Sequence, residues 1–313
     1  MDRSTQQTSA DALAALADRG LVAGAVLGAG MEGVVLALDD DQIAKVWHGR
    51  SRTELERLRT FTGALADAGL PFATPRVLDV ISDGGVLVTV ETRLHGRPMR
   101  PAVGAETPVT DAEATALVDV LTALSLVTPD LALSVLPVLS GEPAFTPDQP
   151  FTAHLADLVQ RRVAHSVQVL RGAVPDALQV ADRTVARLRT LGPRPTGLIH
   201  GDLIPANVFV DEAGRLTGVL DFGFFTTVGD PAFDAAITAS VMDMYGPHAR
   251  TTEARLDAAF AARFAHPPQL LSLYRAAYAL TTSTEFSASG SDGHFAWCAH
   301  MLQRRDIREA LLP

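Results

Sequence analysis

Two rhythms of apolar residues divide the chain. From Val22 to Glu91 short stretches alternate apolar and polar side chains, in VAGAVLG, GVVLAL, QIAKVWH, PRVLDVI and GVLVTVE. Alternation with period two marks strands, and the turn-forming DDD at Asp39 to Asp41 and SDGG at Ser82 to Gly85 join them as hairpins. Between them, Arg52 to Ala68 carries Leu58, Phe61 and Leu65 at spacings of three and four, the mark of a helix. Helical spacing then dominates at 112–126, 151–170, 177–191, 232–244, 252–264, 268–282 and 295–311, with the proline-bearing stretch Thr128 to Pro150 breaking between the first two. The pattern predicts an α+β protein: a five-stranded antiparallel sheet with one helix in residues 1–94, then a mostly helical domain in 95–313. The segment ETRLHGRP reads as the hinge between them.

One stretch of the second part is not helical. His200 to Gly223, HGDLIPANVFVDEAGRLTGVLDFG, enters through a short strand ending LIH, and VFV and LTGVL read as the arms of a hairpin around the turn DEAG. Asp202 and Asn207 lie five residues apart and Asp221 follows fourteen later, so both acidic side chains are expected at strand ends facing one cleft. Transfer of a γ-phosphoryl group asks little covalent work of a protein. It needs a carboxylate to orient the attacking hydroxyl and metal ions to neutralise the triphosphate. Asp202 suits the first role, and Asn207 and Asp221 supply the hard oxygen ligands that Mg2+ prefers.

With HGDLIPAN and LDFG in place, the chain resembles the aminoglycoside phosphotransferase-like enzymes, small-molecule relatives of the protein kinases, whose signature is HGDxxxxN followed by a hydrophobic strand and an Asp. The resemblance implies a bilobal protein-kinase-like fold, ATP or GTP as phosphoryl donor, and Mg2+. Gly201 stands where protein kinases carry the arginine of HRD, which implies an enzyme competent without activation-loop phosphorylation. The stretch GDPAFDAA, Gly229 to Ala236, is similar to the family's GDPxxD segment. By that likeness Asp230 and Asp234, with His200, support the catalytic loop rather than take part in the chemistry.

The first part supplies the other half of such an enzyme. VLGAGMEGVV places Gly28, Gly30 and Gly33 in GxGxxG spacing between two strands, hence in a hairpin, whereas a dinucleotide fold would need a helix directly after the third glycine. Lys45, in QIAKVWH, is the only lysine in the chain. A compact ammonium on a strand beside a glycine-rich hairpin is suited to bridging α- and β-phosphates. Its expected anionic partner is Glu54, which spacing puts on the face of Leu58, Phe61 and Leu65, while Glu56 groups with the polar side. Backbone groups from Glu91 to Leu94 are expected to hold the nucleotide base, leaving ATP or GTP open.

Composition fits this picture. At 313 residues and 47% hydrophobic content the chain can bury two cores. Its single cysteine, Cys298, excludes an intrachain disulfide. The opening MDRSTQQTSADALAALADRG lacks the apolar core of a signal peptide, and no long apolar run suggests a membrane span, so a cytoplasmic enzyme without membrane attachment is expected. A formal net charge of −10 argues against nucleic acid as a partner. The partners expected are a nucleoside triphosphate and a small hydroxylated molecule. An antibiotic inactivated by phosphorylation is the leading acceptor, with a metabolite such as a sugar, an amino alcohol or homoserine second. A nucleotide-binding pseudokinase is the remaining reading. The carboxylates are not concentrated in the helical part, with 9 acidic and 7 basic residues in 223–313, which favours a macrolide- or nucleoside-like acceptor over a polycationic aminoglycoside unless Asp230, Asp243, Glu285 and Asp292 form a local acidic pocket.

Overall fold

The structure, a computed structural model, describes residues 11–30, 32–101 and 106–312. Residues 1–10, part of the opening segment read for a leader, lie outside them. The chain forms two compact units, Met1–Arg97 with Phe209–Asp221, and Pro98–Val208 with Phe222–Pro313.

In the first unit a helix over 11–17 (α1) precedes β1 (Val26–Gly30), β2 (Gly33–Ala37), β3 (Gln42–Trp47), α2 (Arg52–Ala66), β4 (Val77–Asp83) and β5 (Val86–Thr92). The five strands make one antiparallel sheet in the order β1-β2-β3-β5-β4. The DDD turn forms as expected, with Asp39 Oδ1 accepting the N–H groups of Asp41 and Gln42. Alternation sorts the sheet's side chains into two clusters. Ala44, Val46, Val88 and Val90 pack with Ala12, Ala15 and Leu16 of α1, and Trp47, Val77 and Val80 pack with Leu55 of α2. The sequence pattern assigned this unit one helix, so α1 is an addition. Its apolar stripe is two alanines and a leucine, too weak a signal by hydrophobicity, yet Leu16 is completely buried, a change worth about 1.5–3 kcal/mol for such a side chain.

A two-residue strand, β6 (Arg97–Pro98), falls where the chain passes between units. The second unit is mostly helical: α3 (Asp111–Ser125), α4 (Phe151–Ala173), α5 (Ala177–Thr190), then, after the strands, α6 (Pro231–Val241), α7 (Ala249–Phe264), α8 (Pro268–Thr282), α9 (Gly293–Gln303) and α10 (Arg305–Ala310). Helix α8 is its centre. Every residue from Leu270 to Thr282 is buried, and it packs against α4, α5, α6, α9 and α10. A helix apolar on all sides belongs inside. The single helix expected over 295–311 is two: Arg304 leaves the helical region at φ −62° and ψ 141°, and its guanidinium reaches Glu253 of α7 and Asp306, both at 2.6 Å.

Between α5 and α6 run β7 (Gly197–Ile199), β8 (Val208–Val210), β9 (Leu216–Val219) and β10 (Thr227–Gly229). β7 pairs antiparallel with β10 in the second unit, setting Ile199 opposite Thr227. β8 and β9 are hydrogen-bonded neighbours, their turn closed by Asp211, whose Oδ1 accepts the N–H groups of Ala213 and Arg215.

Candidate active site

In the first unit β1 and β2 close at the pair Gly30 and Gly33. A Cβ on Gly33 would lie 1.9 Å from the Val46 carbonyl oxygen, so only glycine lets β2 approach β3 there. Gly28 and Gly30 meet nothing within 4 Å, so their missing side chains leave an open backbone surface.

Lys45 of β3 stands opposite Thr89 of β5, and alternation puts Trp47, Thr89 and Glu91 on its side of the sheet. Its Nζ lies 3.7 Å over the Trp47 ring and 3.0 Å from Glu32 Oε2. Trp47 Nε1 donates to Thr89 Oγ1 at 2.8 Å, and the Thr89 hydroxyl donates to Glu91. Arg50 also reaches Glu32, at 2.6 Å. Burial alone would raise the Glu32 carboxyl's pKa, but the charges and hydrogen bonds of Lys45 and Arg50 outweigh it and hold the group below its ordinary value.

Glu54 is therefore not the partner of Lys45 in this structure. It is the third residue of α2, and its carboxylate turns back to the N–H and hydroxyl of Ser51, both at 2.7 Å, closing a capping box. The open N–H groups of a helix start claim a glutamate at this position. The buried face of α2 begins instead at Leu55 and continues through Phe61, Thr62 and Leu65.

The hinge expectation is altered in two ways. Glu91 lies within β5 with its side chain buried, and burial pushes its carboxyl's pKa up, with Thr89 and Lys45 opposing the rise. The N–H groups of Thr92 and Arg93 are engaged by the carbonyls of Arg76 and Asp41. Contact with a base from this stretch would fall to the remaining backbone groups. Asp221 closes the unit with a left-handed backbone, φ 64°, a conformation in which Asp is among the better tolerated residues. Surrounding protein atoms push its carboxyl's pKa up, and Lys45 is near enough to oppose the shift.

In the second unit the residues from His200 to Asn207 are tied from several sides. The Asp234 carboxylate accepts the backbone N–H groups of His200 at 2.7 Å and Gly201 at 2.8 Å. His200 is fully buried against the Phe222 ring, its carbonyl accepts from the Thr226 hydroxyl at 2.7 Å, and its Nδ1 accepts the Asp202 N–H at 3.3 Å. Gly201 has φ 85°, and a Cβ there would lie 2.5 Å from that of Phe225, so the arginine of an HRD motif has no room. Buried Asn207 donates from Nδ2 to the Asp202 carbonyl at 2.9 Å, which turns the amide oxygen, a hard donor, away from that bond. Asp230 caps α6 through the N–H of Ala232 and accepts from Arg194 at 2.7 Å and the Tyr274 hydroxyl at 2.6 Å.

Among the described residues no group of three or more His, Cys, Asp or Glu side chains is placed to hold a metal ion. Mg2+ is usually held by one or two protein oxygens together with substrate phosphates rather than by an all-protein cage.

The sequence reading did not single out Glu32, Arg50, Trp47 or Thr89 around Lys45, nor Tyr245 and Tyr278, whose hydroxyl pKa values are pushed up by burial first and then by nearby charges, Asp202 among them. Trp47 was reachable from strand alternation, being two residues from Lys45. The others depend on register and on loops that bring distant residues together.

Known proteins share both sequence and fold with this chain. The homoserine kinase of Caulobacter vibrioides (strain NA1000 / CB15N) is 36% identical over 66 residues, and that match spans only 20% of this chain and 20% of the kinase. The GDP complex of wild-type aminoglycoside 2'-phosphotransferase-IIIa superimposes with a TM-score of 0.64 at 16% identity, covering 98% of this chain and 99% of the other. The apoenzyme of macrolide 2'-phosphotransferase MphH from Brachybacterium faecium gives a TM-score of 0.59 at 23% identity, covering 93% and 97%. At these identities the two structures establish the kinase-like fold. The model of the phosphotransferase enzyme family matches residues 24–275, most of the chain and every residue of the glycine hairpin, the HGD loop and the DFG-like element, and the chain belongs to that family.

Proposed function

We propose that the protein transfers the γ-phosphoryl group of ATP or GTP to a hydroxyl of a small molecule, an antibiotic inactivated by the modification. The observation that carries the reading is the fixed HGD loop, in which Asp234 and Asn207 hold the backbone on either side of Asp202. Asp202 would orient the acceptor hydroxyl and take its proton as the oxygen attacks the γ-phosphorus. Lys45, under the hairpin of Gly28, Gly30 and Gly33, would fix the α- and β-phosphates. Asn207 and Asp221 would ligate Mg2+, whose part is to neutralise charge on the triphosphate. A cytoplasmic location is in keeping with this role. Among the described residues no helix is long and apolar enough to cross a membrane.

The acceptor in this reading carries little positive charge, as a macrolide or a nucleoside antibiotic does. Two of the four carboxylates that could have formed an acidic pocket meet a cation, Asp230 at Arg194 and Glu285 at Arg162, while Asp243 and Asp292 accept backbone N–H groups only. Aromatic side chains stand out instead. Tyr245 is half exposed, as is Phe286, which stacks on Phe224 at 5.8 Å. Such rings suit a bulky, partly apolar ligand. The short likeness to homoserine kinase keeps a metabolite acceptor as the second reading.

The test incubates the protein with Mg2+, ATP or GTP and a panel of macrolides, nucleosides, aminoglycosides and hydroxylated metabolites including homoserine, and looks for a product heavier by one HPO3, about 80 Da. Asp202→Asn is expected to lower turnover about 10²–10⁴-fold with nucleotide affinity nearly unchanged. Turnover close to wild type in that variant, correctly folded, would remove Asp202 from the mechanism.

A further inference from the structure

One carboxylate in the first unit is held by two cations that the rest of the fold leaves oriented toward it. Glu32, in the turn of the β1–β2 hairpin, meets Lys45 Nζ at 3.0 Å and Arg50 Nη2 at 2.6 Å. Its backbone is pinned just past the end of β3 by the His48 N–H, which donates to the Glu32 carbonyl at 2.8 Å. Both cations share the Trp47 ring as a support, Lys45 at 3.7 Å from its centre and Arg50 at 5.9 Å, and the ring is anchored by its bond to Thr89. The second anion near Arg50 is more distant: Glu54 Oε1 at 3.4 Å, with the other oxygen of Glu54 committed to Ser51. The two side chains thus form a receptor for one compact anion, supported from beneath by an aromatic face.

We propose that Lys45 and Arg50 together bind the phosphate chain of the nucleotide donor, and that Glu32 competes with it as an internal anion for the same two cations. The proposal rests on reading Lys45 as a ligand of the donor phosphates. Arg50 adds what a lysine cannot, a planar fork of donors that matches two oxygens of one phosphate. Glu32 presents the same oxygen geometry with a single charge, whereas a triphosphate offers several charges and many oxygens. The side chains of Glu32 and Arg50 are 43% and 35% exposed, an ion pair open enough to water to contribute little, and although Lys45 is only 18% exposed its partner is the same half-exposed carboxylate, which a polyanion can displace. Gly28 and Gly30 bring no side chains to the same hairpin, and a Cβ at either would meet nothing within 4 Å.

The roles separate by calorimetric titration of wild type, Glu32→Gln and Arg50→Gln with Mg2+ and ATP or GTP, with tripolyphosphate, and with adenosine or guanosine. Glu32→Gln is expected to tighten the nucleotide and tripolyphosphate several-fold, because the neutral amide no longer competes. Arg50→Gln is expected to weaken both about tenfold, the scale of one charge-assisted contact. Nucleoside binding should be moved by neither. A purely structural role for the ion pair would give no gain in Glu32→Gln. Equal or weaker tripolyphosphate binding by Glu32→Gln overturns the competition, and unchanged binding by Arg50→Gln removes Arg50 from the receptor. A wild-type protein that binds neither ATP nor GTP overturns the underlying nucleotide reading instead.

Discussion

The carboxylate of Asp234 holds the backbone N–H of His200 at 2.7 Å, across 34 residues of sequence. It holds Gly201 in the same way, and burial pushes its pKa up to about 6 against the pull of those two N–H groups. The unfolded value is about 3.9, so the folded protein binds the proton more tightly between those limits. Asp234's protonation therefore contributes stability that is fully present below about pH 4 and is lost as pH rises through about 6, by up to about 3 kcal/mol. Asp234→Asn cannot titrate, and it also leaves one of two buried N–H donors without an acceptor, at a cost of about 1–3 kcal/mol. Urea unfolding of both proteins across this range should show the wild type's advantage shrinking as pH rises. A difference independent of pH would mean that Asp234 titrates outside this window.

Glu54 and Lys45 should separate cleanly. Lys45→Ala is expected to raise the nucleotide KM and lower kcat, because the phosphates lose a positioning cation. Glu54→Ala should leave those constants close to wild type and lower unfolding stability by about 0.5–2 kcal/mol, the usual worth of a helix cap. Glu56→Gln should be nearly silent in both, since its contact with Arg52 is an exposed pair 3.4 Å apart. Steady-state kinetics beside thermal unfolding decides the matter. A large kinetic defect in Glu54→Ala with normal stability would restore it as the partner of Lys45.

Glu54 also shows which side-chain placements a sequence carries locally and which it does not. Helical periodicity placed it near the apolar stripe, but the same residues spell Ser51-x-x-Glu54, and that local pattern decides where the carboxylate goes. The five strands and most helices were legible because period two and period 3.6 are properties of neighbouring residues. So was the HGDLIPAN loop, whose ties from Asn207 to Asp202 are local. The pairing of Lys45 with Glu32 was not legible, because it depends on how a hairpin turn folds back over β3. Nor was α1, whose alanines carry little hydrophobic signal although Leu16 is wholly buried. The break at Arg304 follows from an ion pair with Glu253, fifty-one residues away.

Asp221 and Asn207 are expected to differ in weight. A carboxylate neutralises a bound cation, whereas an amide offers only a dipole. Asp221→Ala should abolish the magnesium dependence of nucleotide binding, and Asn207→Ala should shift the magnesium requirement upward while keeping it. Because Asn207 also donates to the Asp202 carbonyl, its variant should lose some kcat even at saturating magnesium. Magnesium titrations at fixed nucleotide give both readouts. An unaltered magnesium requirement in Asp221→Ala would take that aspartate out of metal binding.

The charge of the acceptor leaves its own kinetic mark. A polycation captured by clustered carboxylates is steered by a field that salt screens, so its kcat/KM falls steeply with ionic strength. Of the carboxylates that could generate such a field, Glu285 meets Arg162 and Asp230 meets Arg194, while Asp243 and Asp292 have backbone donors only. The half-exposed rings of Tyr245 and Phe286 are the side chains proposed to meet an acceptor. A macrolide- or nucleoside-like acceptor should therefore be phosphorylated with a kcat/KM that changes little with added salt, and Phe286→Ala should raise its KM more than it lowers kcat, as expected of a group that binds ground state and transition state alike. Efficient phosphorylation of kanamycin-like compounds with a steep salt dependence, and none of macrolides or nucleosides, would show that the carboxylates and not the rings select the acceptor.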